Sequence, residues 1–373
     1  MARKKLLHIQ LLPLLSGVQN MMLSLLGGLD KAEFEIYVIS KPGGPLEEAI
    51  IKAGYHYVPV KSLERNFSIF DLIAIVKLYI IMRKCKFDIV HTHSSKTGFM
   101  GRIAARLAGV PRIFHTVHGF AIHEHQSGIL NRIYMTLEKF AGRFCDKVIF
   151  VNDHEREMAV AKGILPAEKV MTINNGIAIE LYKVKDAESY LAERDYEKNP
   201  FIIGSVLRFT TQKNVFNTIA AAIEVCKKNR AIQFVFIGDG EDFLVCKNLI
   251  DQANMNTRIF LTGWQSRINE LLMKLDVFLL FSRWEGLSIS ILEAMATGLP
   301  VVASDIKGNN ELVDKENGIL VDVRDIDGLV AELVSLPQRT SELKSWSIAS
   351  RRRMEERFTL QKFINEYKAL YDD

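Results

Sequence analysis

Cysteine is scarce in this chain of 373 residues: there are four, at Cys85, Cys145, Cys226 and Cys246, with no C-x-x-C spacing. That rules out a disulfide scaffold and carries no redox or metal signal, so a reducing compartment is expected. Long apolar runs are missing as well. None reaches the ~18 residues that a membrane-spanning helix needs. A secretory leader is not expected, because His8 and Gln10 interrupt the apolar residues behind Met1-Ala-Arg-Lys-Lys and no small-residue cleavage pattern follows before Gly27-Gly28. A first strand behind a basic start is the better reading. Charge of one sign is in no large excess: the formal net charge is +4, and no nucleic-acid partner is expected. The small excess hides an asymmetry, since residues 1–180 carry 23 Lys+Arg against 16 Asp+Glu and the remainder 25 against 28. A basic first half favours an anionic partner, such as a phospholipid surface or a diphosphate-bearing molecule.

What is present is an ordinary globular composition, 48% hydrophobic and 25% charged, in a chain long enough for two domains. Strands are expected over residues 6–12, 34–40 and 56–60, with helices over 20–29 and 46–53 between them. This alternation predicts a parallel, doubly wound sheet, and the same rhythm returns after residue 201. Residues 183–200 are polar, lack apolar periodicity and read as a linker. The fold class is therefore α/β, with domains over residues 1–180 and 181–373. Residues 325–336 and 341–368 read as amphipathic helices, the last crossing back to the first domain.

The most informative stretch is residues 277–304. Residues 277–281 are a short apolar run, expected as a strand buried on both faces. Residues 290–297 form a short helix closed by Gly298, with Pro300 just beyond. Between them lies Ser282-Arg-Trp-Glu285-Gly286, a turn whose glycine lets the backbone approach a ligand. Strand, turn and helix N-terminus aim N–H groups around Gly286, Leu287 and Ser288 at one point, together with the positive dipole end, which suits a phosphate. Glu285 and Glu293 flank that point, within reach of sugar hydroxyls. Ser290-x-x-Glu293 is also a capping box, which alone accounts for both residues.

Arg208 ends a strand expected over residues 201–208, and Lys213 stands at a helix entry. The two offer a planar fork and a point charge to a diphosphate. Four histidines, His91, His93, His115 and His118, cluster at the C-terminal ends of two strands, where open α/β sheets take their ligands. Zinc ligation is the obvious alternative. No cysteine or acidic cluster accompanies them, however, and the spacing is not that of a helical His-x3-His pair. Asp239-Gly-Glu-Asp242 and Asp325-Ile-Asp327 read as turn and helix-start chemistry rather than a metal site. Asp153 reads as the N-cap of a helix over residues 155–161. Residues 67–82 carry only Asp71 and Lys77 as charges, and Arg83, Lys84 and Lys86 follow. A buried packing helix is the commoner meaning of such a segment; a helix dipping into a membrane interface is the other.

E-x7-E between a buried strand and the run Ala294-Met-Ala-Thr-Gly298-Leu-Pro300-Val-Val-Ala-Ser304 resembles the donor-sugar motif of retaining family-4 glycosyltransferases. His91-Thr-His93-Ser94-Ser95-Lys96, followed by His115-Thr-Val-His118-Gly-Phe120, is similar to the branch of that family serving bacterial capsule, exopolysaccharide and O-antigen synthesis. The resemblance spans nearly the whole chain. It implies the GT-B architecture, two Rossmann-like domains facing a cleft, the first for the acceptor and the second for a nucleotide-sugar. It implies transfer of a hexose, expected from a UDP-sugar, to a lipid-linked saccharide, with no metal or other cofactor. His118 falls on the family's active-site histidine. Glu285 would position the hexose, Glu293 the ribose hydroxyls, and Arg208 with Lys213 the diphosphate. Gly17 and Gly263 would bring backbone close to the donor, although Ser16 stands where the family usually has the first of two glycines. His93, Ser94 and Lys96 would face the acceptor, while His91 and His115 would be supporting or core residues. The expected setting is the cytoplasm, peripheral on the inner face of the cytoplasmic membrane. Two rivals remain open: a UDP-N-acetylglucosamine 2-epimerase-like enzyme, and a non-catalytic nucleotide-sugar binder that scaffolds an assembly complex.

Overall fold

The computed structural model describes residues 3–64, 70–120, 122, 126–190 and 199–372. The chain divides into two compact units, Met1–Asn175 with Leu360–Asp373, and Gly176–Thr359. In the first unit, seven strands form one parallel sheet: β1 (Lys4–Ile9), β2 (Phe34–Ser40), β3 (His56–Pro59), β4 (Ile89–His93), β5 (Arg112–Val117), β6 (Lys147–Phe150) and β7 (Val170–Thr172). Helices α1 (Gly17–Gly27), α2 (Pro45–Lys52), α3 (Phe70–Cys85), α4 (Ser95–Ala108), α5 (Gly128–Ala141) and α6 (Asp153–Ala161) fall between and around them. The spatial order is β3-β2-β1-β4-β5-β6-β7, so the winding reverses between β1 and β4.

The second unit repeats the plan with β8 (Phe201–Val206), β9 (Ile232–Ile237), β10 (Ile259–Leu261), β11 (Val277–Leu280), β12 (Val301–Ser304) and β13 (Gly318–Val321). Its helices are α7 (Val215–Lys228), α8 (Phe243–Gln252), α9 (Ile268–Leu272), α10 (Ile289–Ala296), α11 (Ile326–Ser335) and α12 (Thr340–Arg357). The order β10-β9-β8-β11-β12-β13 reverses between β8 and β11. Such switch points leave a crevice beyond the strand ends, the usual ligand position in these sheets. Each unit is a Rossmann-like domain.

The strands are apolar because both faces are covered. In the first unit, Leu7, Ile9 and Val90 belong to an apolar cluster with Leu78 of α3 and Met100 and Ala104 of α4. The last helix, α13 (Leu360–Asp372), belongs to this unit and packs on α1. A Cβ on Gly28 would lie 2.2 Å from Ile364 Cδ1, so glycine at the end of α1 is what admits α13. Lys4 Nζ secures the C-terminal end of α13 by donating to the Tyr371 carbonyl at 3.1 Å and to Asp372 Oδ1 at 3.0 Å.

Several local expectations shift. Helix α1 starts at Gly17 rather than residue 20, because Ser16 takes the cap position and its N–H donates to Gln19 Oε1 at 3.3 Å. Asn152, not Asp153, caps α6, accepting from the Glu155 N–H at 2.7 Å. The stretch expected as one helix over residues 341–368 is two, broken at Phe358-Thr359, and only the second belongs to the first unit. Residues 191–198 of the expected linker lie outside the described residues, as do residues 67–69 of the apolar segment. The described start of that linker is attached rather than loose: Lys185 Nζ reaches Asp276 at 2.8 Å and its N–H donates to Thr297 O at 2.9 Å. A buried ion pair anchors this polar stretch where no apolar periodicity announces it.

Candidate active site

In the second unit the two predicted donor motifs meet at the switch point. β8 and β11 are neighbours, with Ile203 opposite Val277, so the loops leaving their C-terminal ends are side by side. Those loops are bonded together. The Arg283 N–H donates to Gln212 O at 2.8 Å, Gln212 Nε2 to Trp284 O at 3.0 Å, and Arg283 Nε to Asn214 Oδ1 at 3.2 Å. Lys213 Nζ then pairs with Glu285 Oε1 at 2.5 Å in a largely buried contact. Asn214 sits at φ +52, a left-handed position that turns the chain sharply into α7. Arg208 is exposed on the same loop as Lys213, two residues beyond β8, and carries no hydrogen bond or ion pair from its side chain among the described residues. The expectation that the strand ends at Arg208 is corrected to Val206, which leaves the guanidinium on a loop.

Behind the Glu285–Gly286 turn, Gly308 comes so close that a Cβ there would lie 2.4 Å from the Gly286 carbonyl oxygen. Ser304 Oγ donates to Ser282 O at 2.6 Å, and Asn309 Nδ2 to Ser304 O at 3.2 Å, tying the ends of β11 and β12. Ser288 caps α10, its hydroxyl accepting from the Ile291 N–H at 3.4 Å. The Ser290–Glu293 capping box is therefore not formed, since Ser290 already lies inside the helix. Glu293 instead accepts from Tyr182 Oη at 2.9 Å. Burial pushes the Glu293 carboxyl up to about 7, against the lowering effect of that bond. Tyr182 is itself raised by burial and then by Glu293. Gly263, at φ +71, bridges Gly238 across the ends of β9 and β10, its carbonyl accepting from the Gly238 N–H at 3.0 Å.

In the first unit the histidines gather on one face of the sheet. His8 lies in register with His91, and β4 carries His93 two residues on, hence on the same side. His118 follows the end of β5, and its Nε2 meets His93 Nδ1 at 2.9 Å. His93 Nε2 meets His8 Nδ1 at 2.9 Å. Burial lowers all of these rings: His118 to about 4, His8 to about 3, and His91 and His93 well below their ordinary value. They are neutral at pH 7. His115 points to the opposite face, where Gly98 of α4 makes room for it; a Cβ there would lie 2.3 Å from its ring. The loop after His118 is held by the Phe120 N–H, which donates to Glu155 Oε1 at 2.8 Å.

Two residues assigned to the acceptor side are occupied otherwise. His93 is buried with both ring nitrogens on other histidines, so it supports His118 and offers nothing to a ligand. Lys96 is buried too, with Nζ 2.6 Å from Asp71 of α3 and 2.8 Å from the Glu64 carbonyl. Its charge is neutralised locally. Ser94 sits at φ +64, ψ +150, a conformation costing about 1–3 kcal/mol outside glycine, at the junction of β4 and α4. Gly17, at the exposed start of α1, is the corresponding junction after β1.

Sequence reasoning missed several residues. His8 was visible as a lone polar residue in an apolar strand, and the His91/His93 alternation predicts the face it shares. Tyr182 and the two α13 tyrosines, Tyr367 and Tyr371, gave no signal, because their partners lie more than a hundred residues away. Nor did Arg102, fully buried and bidentate to Glu138 at 2.7 and 2.9 Å, which locks α4 to α5. Burial alone would raise the Glu138 carboxyl; Arg102 reverses this and holds it below its ordinary value.

The comparisons with known proteins agree across both units. The family described as Glycosyltransferase Family 4 matches residues 15–181, and Glycosyl transferases group 1 matches residues 186–353. An Escherichia coli UDP-Gal:alpha-D-GlcNAc-diphosphoundecaprenol alpha-1,3-galactosyltransferase is 37% identical over 379 residues, 99% of this chain and 97% of that protein. The Staphylococcus aureus capsular polysaccharide biosynthesis glycosyltransferase CapM is 23% identical over 92% of this chain and 91% of its own length. Among solved structures, Anabaena HepE in complex with UDP-glucose superposes with a TM-score of 0.82 at 21% identity, covering 99% of this chain and 100% of that one. That likeness is one of fold. With a relative 37% identical over 97% of its length, and both sheets wound to the same switch-point plan, the chain belongs to the family-4 glycosyltransferases.

Proposed function

We propose that this enzyme transfers a hexose, galactose being the first candidate, from its UDP-linked form to a saccharide carried on a polyprenyl diphosphate, with retention of anomeric configuration. The observation that carries the reading is the bonded junction of the two donor motifs, which sets Arg208, Lys213, Glu285 and the N-terminus of α10 at the ends of β8 and β11. The full-length likeness to a galactosyltransferase supports the sugar and the acceptor class.

Catalysis is electrostatic. A departing diphosphate gains negative charge, and preorganised cations and helix N–H groups stabilise that charge more than they do the bound donor. Without donor, Lys213 rests on Glu285. A diphosphate offers Lys213 a more highly charged partner and frees Glu285 for the hexose hydroxyls. Glu293, with Tyr182 behind it, takes the ribose hydroxyls. His118 orients the sugar and supports its oxocarbenium-like state. The acceptor oxygen attacks the anomeric carbon on the face the phosphate leaves, and the leaving phosphate oxygen takes the acceptor proton. No metal is required, because the residues named supply the positive charge; activity persisting in excess chelator is the expected result. Full loss on chelation, restored by a divalent cation, would overturn that part.

The acceptor class requires reach to a bilayer, and α3 provides a surface for it. Leu72 is 71% and Val76 55% exposed, with Ile73, Tyr79 and Ile80 also at the surface, while Ala74, Leu78 and Met82 face the core. The segment read as a buried packing helix thus keeps an outward apolar stripe, ending in exposed Arg83, Lys84 and Lys86. That arrangement favours peripheral association with an anionic leaflet on the cytoplasmic side, at about 1 kcal/mol per well-placed cation. Replacing the three cations with glutamate is expected to leave the protein soluble after co-sedimentation with anionic vesicles, where the wild type pellets. Equal recovery would refute it. The activity itself is tested by incubating the protein with UDP-galactose, UDP-glucose or UDP-N-acetylglucosamine and a synthetic N-acetylglucosaminyl-diphospho-lipid. Transfer with an α-linkage supports the proposal. Epimer formation without acceptor would favour the epimerase, and binding without turnover the scaffold.

A further inference from the structure

The face of the first sheet that carries His8, His91 and His93 is covered by α13, and the contact is a continuous hydrogen-bonded line. From His118 it runs through His93 to His8, at 2.9 Å each. His8 Nε2 then meets Tyr371 Oη at 3.3 Å, and Tyr371 Oη meets His91 Nδ1 at 2.5 Å. His91 Nε2 continues to Thr116 Oγ1 at 2.7 Å, and Thr116 to Tyr367 Oη at 2.9 Å. Apart from His118, every member is buried. The His8–His93 and His93–His118 ring centroids are 5.1 and 5.2 Å apart with interplanar angles of 24° and 30°. Two rings whose nearest nitrogens are 2.9 Å apart reach that separation only edge to edge, so each contact lies near the ring planes, where the lone pairs are. These are real hydrogen bonds. The nitrogens of His8, His91 and His93 also lie within 4.8 Å of one another, a spacing that suits a metal ion. Zinc, however, needs lone pairs converging on a point about 2 Å from each nitrogen. Here two of them face each other in line, and His91 and His93 stack at 4.5 Å instead.

A neutral imidazole has one donor and one acceptor, so the line admits only two proton orders, each fixing every tautomer at once. Tyr371 decides between them. It donates to one histidine and accepts from the other, and a phenol O–H makes the shorter bond, whereas N–H donors centre near 2.9–3.0 Å. The 2.5 Å contact is therefore O–H to His91 Nδ1, and the 3.3 Å contact is His8 Nε2–H to the phenol oxygen. It follows that His8 Nδ1 accepts from His93 Nε2–H, and His93 Nδ1 accepts from His118 Nε2–H. On the other arm, His91 Nε2–H donates to Thr116, whose hydroxyl donates to Tyr367. His118 Nδ1 has no partner among the described residues.

We propose that Tyr371, on the last helix of the chain, is a positioning residue that sets His118 through His8 and His93 in the Nε2–H tautomer, so that His118 Nδ1 presents a bare acceptor lone pair to a substrate hydroxyl. The substrate half of this statement rests on the transferase reading; the tautomer half does not. Tyr371→Phe keeps the ring and removes the oxygen. His8 Nε2–H would then be an orphan buried donor, costlier than an orphan acceptor, and the order reverses, delivering Nδ1–H at His118.

The test is long-range proton–nitrogen NMR of histidine-labelled, ligand-free protein, with the His118 signals assigned by their loss in His118→Asn. The wild type is expected to show His118 predominantly as Nε2–H, and Tyr371→Phe predominantly as Nδ1–H. Phe363→Leu, which loosens α13 and meets the line only at Tyr367, its far end beyond Thr116, should keep the wild-type tautomer. In turnover, Tyr371→Phe should lower kcat about tenfold or more with donor affinity within about twofold. A wild-type His118 carrying its proton on Nδ1 would overturn the proposal without any variant. So would an unchanged tautomer in Tyr371→Phe, or the same change in Phe363→Leu. Because the NMR needs no substrate, failure of sugar transfer leaves the tautomer result standing, and the reverse holds too.

Discussion

Replacing Glu293 with glutamine should make the second unit more stable and the enzyme worse. Burial holds the Glu293 proton to about 7, against 4.5 for an ordinary glutamate. A carboxyl raised in the folded state keeps its proton when folded and releases it on unfolding, so stability falls as pH rises from 4.5 through about 7. Above that window the penalty is about 3 kcal/mol. Glutamine carries no charge and still offers an oxygen to Tyr182, but leaves an amide N–H2 to satisfy, at a cost of about 1 kcal/mol. The net gain at pH 8 is about 2 kcal/mol, or about 4–8 °C in the melting of a unit this size. At pH 5, where Glu293 is mostly protonated, the gain should vanish. Differential scanning calorimetry of wild type and Glu293→Gln from pH 5 to 8 measures it, and subtracting the two profiles cancels every other titrating group. Donor binding should move the opposite way. Ribose hydroxyls donate to the carboxylate form, so UDP binding should release a proton near pH 7. The variant should lose that release and about 1.5–3 kcal/mol of affinity. Isothermal titration in buffers of different ionisation enthalpy reads both. A stability difference independent of pH, or a variant that binds UDP as tightly as the wild type, would refute the reasoning.

Arg208→Ala should lower kcat/KM by about 2–4 kcal/mol equivalent with the melting temperature unchanged, since its side chain is exposed and supports nothing structural; near-normal turnover would remove it from the phosphate site. Lys213→Ala should show the same kinetic loss together with reduced stability, because Glu285 is left without its cation; unchanged thermal melting would contradict that. The first unit should melt early in acid. His8, His91, His93, His115 and His118 are all lowered by burial, and on unfolding each regains a proton below its ordinary value of 6.5. The stability they hold above 6.5 is therefore lost as pH falls toward about 3–4, at about 1.4 kcal/mol per pH unit for each group fully titrating. A melting temperature flat between pH 7 and 5 would refute this.

The family was legible in the amino-acid sequence because its motifs are local. A strand, a turn and a helix start within thirty residues, and apolar periodicity shows both the elements and their alternation. Glu285, Arg208 and His118 could be named because each follows a strand, and parallel sheets gather the ends of their strands. What the buried side chains there pair with was settled by partners distant in sequence. Lys96, polar and set after a strand, reads as a ligand residue until Asp71 is seen to neutralise it. His93 reads as an acceptor contact until His8, 85 residues earlier, takes its second nitrogen. Glu293 reads equally well as a cap or a sugar ligand until Ser288 is seen to cap α10 and Tyr182, 111 residues away, to donate to the carboxyl. Local pattern determines secondary structure because backbone hydrogen bonds and side-chain periodicity act over a few residues. The protonation and pairing of a buried polar group depend on whatever the fold brings within 3 Å of it: Asp71 for Lys96, Tyr182 for Glu293, and for His91 the tyrosine that α13 returns to the first sheet.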